Sequence, residues 1–128
     1  MNSSVTKIPC NLDKFFKYWL QFTAPLHKLQ NKEIKVLSFI LKKRYELSYI
    51  IADDEVIDSF LFSTEVRDQI VLESGESKTN FSVILSKLRS KEVILEDNKI
   101  NKKFIPNIGR GSNKFDLMII FDITNDTN

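Results

Sequence analysis

Cysteine occurs once in this chain, at position 10, and histidine once, at position 27. A lone thiol forms no internal disulfide and suits a reducing compartment, so a cytoplasmic protein is expected. Glycine and proline are scarce, at three each among 128 residues, which leaves little room for long irregular segments. Long apolar runs are missing as well. The longest, Leu117 to Phe121, falls far below the ~20 residues that a membrane-spanning helix needs. The opening stretch MNSSVTKIPC has no apolar core of the kind an export signal carries. No membrane association is expected.

The same scarcities argue against catalysis, and a non-enzyme is expected. His27, between Leu26 and Lys28 and close to Pro25, reads as a packing or surface residue. Cys10 has no base partner nearby in sequence. Asp53, Asp54 and Glu55 are consecutive, so their oxygens converge poorly on a metal; acids favoured at a helix start explain them better. The stretch GRGSNK, residues 109–114, lacks the strand–loop–helix context and the GK[ST] ending of a phosphate-binding loop. No cofactor and no metal are expected.

What the chain does have is 42% hydrophobic residues, ten phenylalanines and sorted charge. That balance belongs to one globular domain with an aromatic-rich core. The net charge is only +2, yet it is unevenly placed. Residues 1–52 carry nine Lys/Arg against three acids, residues 53–76 one against eight, and residues 77–114 nine against three. Three Asp lie in the remainder. Such sorting can build a local basic surface on a nearly neutral protein, although solvated faces with chance clustering give similar runs.

Residues 1–11 read as a loose leader and 12–123 as a single domain, with 124–128 a frayed tail. Asp13 to Phe22 has helical spacing in Phe15, Tyr18, Trp19 and Phe22. Asn31 is a candidate cap for the next helix, which buries Ile34, Leu37, Ile40 and Leu41. A short acidic helix should use Val56, Ile57, Phe60 and Leu61. Ser63 can cap TEVRDQIVLE, whose inward residues are Val66, Ile70 and Val71, and Gly75 can end it in a left-handed conformation. After a cap at Ser77 or Thr79, Phe81, Ile84, Leu85 and Leu88 make a clean helical stripe. The period then changes. Val93 to Leu95, the turn EDN and KINKKFIP suggest a hairpin, and FDLMIIFDI alternates Phe115, Leu117, Ile119, Phe121 and Ile123 as a strand pairing with it.

Helices first, two of them joined by a short glycine-containing turn, then a basic hairpin: this order resembles the winged helix-turn-helix family. The stretches LQNKEIKVLSFILKKRYEL and STEVRDQIVLESGESKTNFSVILSKLRSKEVILEDNKINKKFIP carry the likeness, across about residues 29–106. They also resemble small winged-helix proteins of tailed phages that infect Bacteroidetes-type hosts. The resemblance implies an α+β fold, with the helix-turn-helix at 63–91, a wing at 92–106 and a C-terminal strand at 115–123. It implies a DNA-binding regulator of transcription or replication in the cytoplasm, the host's if the protein is phage-encoded. Residues 78–91 would be the recognition helix.

With the apolar stripe turned inward, that helix presents Lys78, Thr79, Asn80, Ser82, Val83, Ser86 and Lys87 to double-stranded DNA. Asn80 suits adenine and Val83 a thymine methyl, while the lysines suit guanine or phosphate. Lys99, Lys102, Lys103 and Arg110 would add phosphate contacts. Acids at Glu65, Asp68, Glu92, Glu96 and Asp97 fit a duplex less well. They keep open a second use, as a protein-interaction module with a phage or host partner or as a virion-assembly component. Trp19 and its neighbouring phenylalanines have two readings too: docking of the first helix on the core, or a homodimer interface.

Overall fold

The computed structural model describes residues 5–124, and most of the expected leader falls within that range; residues 1–4 and 125–128 lie outside it, including most of the expected tail. It is an α+β fold of five helices followed by a two-stranded antiparallel hairpin. The helices are α1 (Leu12–Phe22), α2 (Asn31–Leu47), α3 (Asp54–Leu61), α4 (Thr64–Ser74) and α5 (Lys78–Ser90). The strands are β1 (Ile94–Leu95) and β2 (Lys99–Ile100), paired Ile94 to Ile100 and Leu95 to Lys99.

Four of the five α-helices begin on a residue whose side chain accepts from an orphan backbone N–H of the first turn. Asn11 accepts from the Lys14 N–H at 3.1 Å, Asp53 from the Glu55 N–H at 2.8 Å, Ser63 from the Val66 N–H at 3.4 Å and Ser77 from the Asn80 N–H at 3.1 Å. The cap of α2 is Gln30 rather than the expected Asn31, because Glu33 reaches back to accept from the Gln30 N–H at 2.9 Å. Ser77 is the cap of α5, and Thr79 lies inside its first turn.

The central helix is α2. It buries Ile34, Leu37, Ile40 and Leu41, together with Val36, against Phe16 and Leu20 of α1, Ile70 and Val71 of α4, and Phe81, Leu85 and Leu88 of α5. The inward face of α3 consists of Ile57 and Leu61; Val56 and Phe60, also expected inside, are exposed. Two ion pairs tie the layers. Arg44 donates to Asp58 at 2.9 Å, joining α2 to α3, and the other oxygen of Asp58 accepts from the Ile100 N–H at 3.4 Å. At the opposite end of α2, Lys91 donates to the buried Glu33 at 2.6 Å and to the Lys28 carbonyl at 3.0 Å.

His27 is a packing residue. Its Nδ1 accepts from the Leu29 N–H at 3.3 Å, so Nε2 carries the proton and donates to the Leu20 carbonyl at 2.8 Å. Trp19 likewise donates from Nε1 to the Phe104 carbonyl at 2.8 Å.

The hairpin and the C-terminal segment depart from expectation. Strand pairing covers four residues, and residues 102–104 form a 3-10 turn that buries Phe104, so 92–106 is a short hairpin and a docked return. Residues 115–123 form no strand. A strand requires a partner, and the outward N–H of β2, at Ile100, is already held by Asp58 of α3. Phe115 is held instead by aromatic contacts, 5.2 Å from the Phe15 ring and 5.6 Å from the Trp19 ring, both edge-on.

Candidate nucleic-acid interface

The α4–α5 pair presents one long polar face. Gly75 closes α4 with φ of 75°, a left-handed conformation that costs an ordinary residue strain, and Ser77 restarts the chain as α5. Phe81, Ile84, Leu85 and Leu88 anchor α5, each nearly inaccessible. At 100° per residue, Thr79, Val83, Ser86 and Ser90 then stand opposite the buried stripe. Lys78, Thr79, Asn80, Ser82, Val83, Ser86 and Lys87 are all exposed. The 13 residues of α5, about 20 Å long, include no carboxylate.

The two flanks of α5 differ. On one side, Ile84 and Lys87 share an open depression of about 320 Å³ with Gln30, Asn31, Lys32 and Glu33 at the start of α2. Burial pushes the Glu33 carboxyl up, but the hydrogen bonds from Lys91 and Gln30 and the charges of Lys91 and Lys87 outweigh it and hold its pKa below the ordinary value. On the other side, Arg67 of α4 donates to the Ser82 hydroxyl at 2.7 Å and lies over the Phe81 ring. Arg89 donates to Asn98 in the hairpin turn at 2.8 Å. These two guanidinium groups extend the basic face, and the outward residues named from sequence omit both. Arg89 lies seven residues after Ser82, two helical turns on, so helical spacing alone places it on the same flank. Arg67 is reached only through the packing of α4 on α5.

The hairpin brings less to this face than its sequence suggests. Lys99 pairs with Glu55 of α3 at 3.3 Å. Lys102 and Lys103 are exposed on the 3-10 turn that docks near α1, with no ion pair among the described residues. Glu96 and Asp97 make the turn itself acidic, with Asp97 and Asn98 in left-handed conformations that these short polar residues tolerate. No hydrogen bond or ion pair joins Arg110 to α5 among the described residues; it donates to the Ser48 carbonyl and lies over the Tyr49 ring beyond the end of α2.

Among the described residues, no three His, Cys, Asp or Glu side chains converge as a metal site. Asp53 caps α3, and Asp54 reaches Arg44 at 3.6 Å. Among the described residues no helix is long and apolar enough to cross a membrane.

No family model matches the chain, and no curated protein or solved structure matches it either. The chemistry of the α5 face is therefore the guide to function.

Proposed function

We propose that this protein binds double-stranded DNA as a winged helix-turn-helix, with α5 entering the major groove. The observation that carries the proposal is the acid-free outward face of α5, rigidly seated on four buried apolar residues and flanked by Lys87 on one side and Arg67 and Arg89 on the other. A helix of this length and width fits a major groove, and short Thr79, Ser82 and Ser86 side chains let its backbone come close. Exposed Asn80 suits paired hydrogen bonds to an adenine and Val83 a thymine methyl, while Lys78 and Lys87 suit guanine or phosphate. Lys102 and Lys103 contribute phosphate contacts beside the hairpin, and Lys99 does so after releasing Glu55. Arg110 serves the far end of α2 rather than the groove. A small regulator of transcription or replication, working in the cytoplasm, is the role this suits.

The test separates base readout from phosphate attraction. Asn80→Ala and Val83→Ala should each change sequence preference in a selection from random duplexes, at a cost of about 1–3 kcal/mol for each base interaction removed. Unchanged preference in both variants would remove α5 from the groove.

A second reading, a protein-contact module or virion-assembly component, draws on one specific observation. Leu72 of α4, Val83 of α5 and Leu95 of β1 expose apolar surface, with Glu65 and Asp68 also exposed on α4. That reading predicts no duplex binding and a loss of partner binding on Val83→Lys.

A further inference from the structure

The segment from Lys114 to Asp122 has the pattern of a strand but pairs with no strand among the described residues. Residues 115–124 make no backbone–backbone hydrogen bond to any other described residue. Their side chains nevertheless alternate: Leu117 and Ile119 are 42% and 46% exposed, whereas Met118 and Ile120 are 83% and 77% exposed. The odd-numbered face is thus the inner one, continuing from Phe115, which packs on Phe15 and Trp19 of α1. Phe121 and Ile123 belong to that face by parity, yet they stand 80% and 86% exposed, beyond the reach of the chain's own cover.

We propose that this segment pairs antiparallel with the same segment of a second copy of the chain, forming a two-stranded ribbon laid across both α1 helices. Charge complementarity selects the occupant and the register. Centred on Met118, the pairing sets Lys114 opposite Asp122 twice, Phe115 opposite Phe121 twice and Leu117 opposite Ile119 twice. Opposite charges and paired aromatics across a ladder are favourable contacts. Centring one residue later, on Ile119, puts Asp116 directly opposite Asp122 in both halves, which is repulsive. Centring one residue earlier, on Leu117, sets Lys114 against Ile120 and loses both ion pairs. Pairing about Met118 keeps parity, so each Phe121 arrives on the inner face beside the partner's Phe115 and over the partner's α1. The arrangement also supplies backbone partners for an apolar stretch that otherwise stands as an open edge.

A two-stranded ribbon alone is marginal, and the aromatic surface of α1 provides the packing it requires. This keeps the N-terminal aromatic helix in a homodimer, but as the floor under the ribbon. Phe16 and Leu20 on its other side are committed to the core. The proposal is independent of DNA binding, because it uses neither α5 nor the hairpin.

The experiment is sedimentation velocity on the full chain without DNA, over a wide range of concentration, with a charge-swap series. Wild type should pass from monomer to dimer. Asp122→Lys places lysines opposite each other and should weaken the dimer about tenfold. Lys114→Asp combined with Asp122→Lys restores opposite charges in the same register and should recover the wild-type constant. The sole tryptophan, Trp19, should change its emission in step with the mass. A wild type that stays monomeric throughout overturns the proposal and leaves the segment for a different partner. A dimer indifferent to Asp122→Lys, or a double variant that fails to recover, overturns it equally.

Discussion

Glu33 is the residue on which several demands meet. It caps α2 through the Gln30 N–H, it holds Lys91 at the end of α5, and it lies beside the depression that Lys87 overlooks. Its side chain is 2% exposed, so the carboxylate depends on these partners for the solvation it has lost. The folded pKa lies below the ordinary 4.5 despite burial. A carboxyl depressed by folding contributes stability that is complete above its unfolded pKa and lost as pH falls through the folded value. Wild type should therefore lose stability on acidification below about 4.5 in part through this group. Glu33→Gln should lose about 1–3 kcal/mol at neutral pH and show a shallower acid dependence. Urea denaturation at several pH values checks both. An unchanged acid slope would mean that Lys91 and Gln30 do not stabilise the ionised form.

Among the elements, the α4–α5 turn is the most exacting. Gly75 has a φ of 75° and no atom near the place a Cβ would take. Gly75→Ala should then cost only the backbone strain, about 1–2 kcal/mol, read as a lower denaturation midpoint with an unchanged slope. This turn is legible in the sequence because glycine, serine and the apolar period each mark a local event. The inward stripes of α2, α4 and α5 are legible for the same reason. The end of the chain is not. Residues 115–123 alternate as a strand does, but alternation records only what a segment is able to pair with, and the outward N–H of β2 is already held by Asp58. Nothing in the sequence near Asp58 announces that bond, which spans 42 positions. The cap falls at Gln30 and not at the expected Asn31 for a smaller reason, since adjacent polar residues compete for one role and side-chain reach decides. At the candidate interface, the exposed residues of α5 are readable from helical period. The pairing of Lys99 with Glu55, the position of Arg110 and the arrival of Arg67 depend instead on how elements pack.

At the scale of the whole molecule, charge is sorted between surfaces. The acid-rich segment around α3 is engaged with Arg44 and Lys99, while Lys78 and Lys87 on α5 meet no carboxylate in an ion pair among the described residues. A nearly neutral protein thus keeps a basic face, and its affinity for a polyanion should come from a few lysines and arginines rather than from total charge. Neutralising Lys102 and Lys103 together with Gln should weaken binding to all duplexes alike and lower the salt slope, by up to about 0.9 for each phosphate no longer neutralised. The most direct measurement of DNA binding through this face is a salt titration of wild-type protein with random-sequence duplex DNA. The logarithm of the binding constant should fall linearly with the logarithm of salt concentration, with a slope reporting several phosphate contacts. Absence of salt-sensitive binding even at low salt would contradict it.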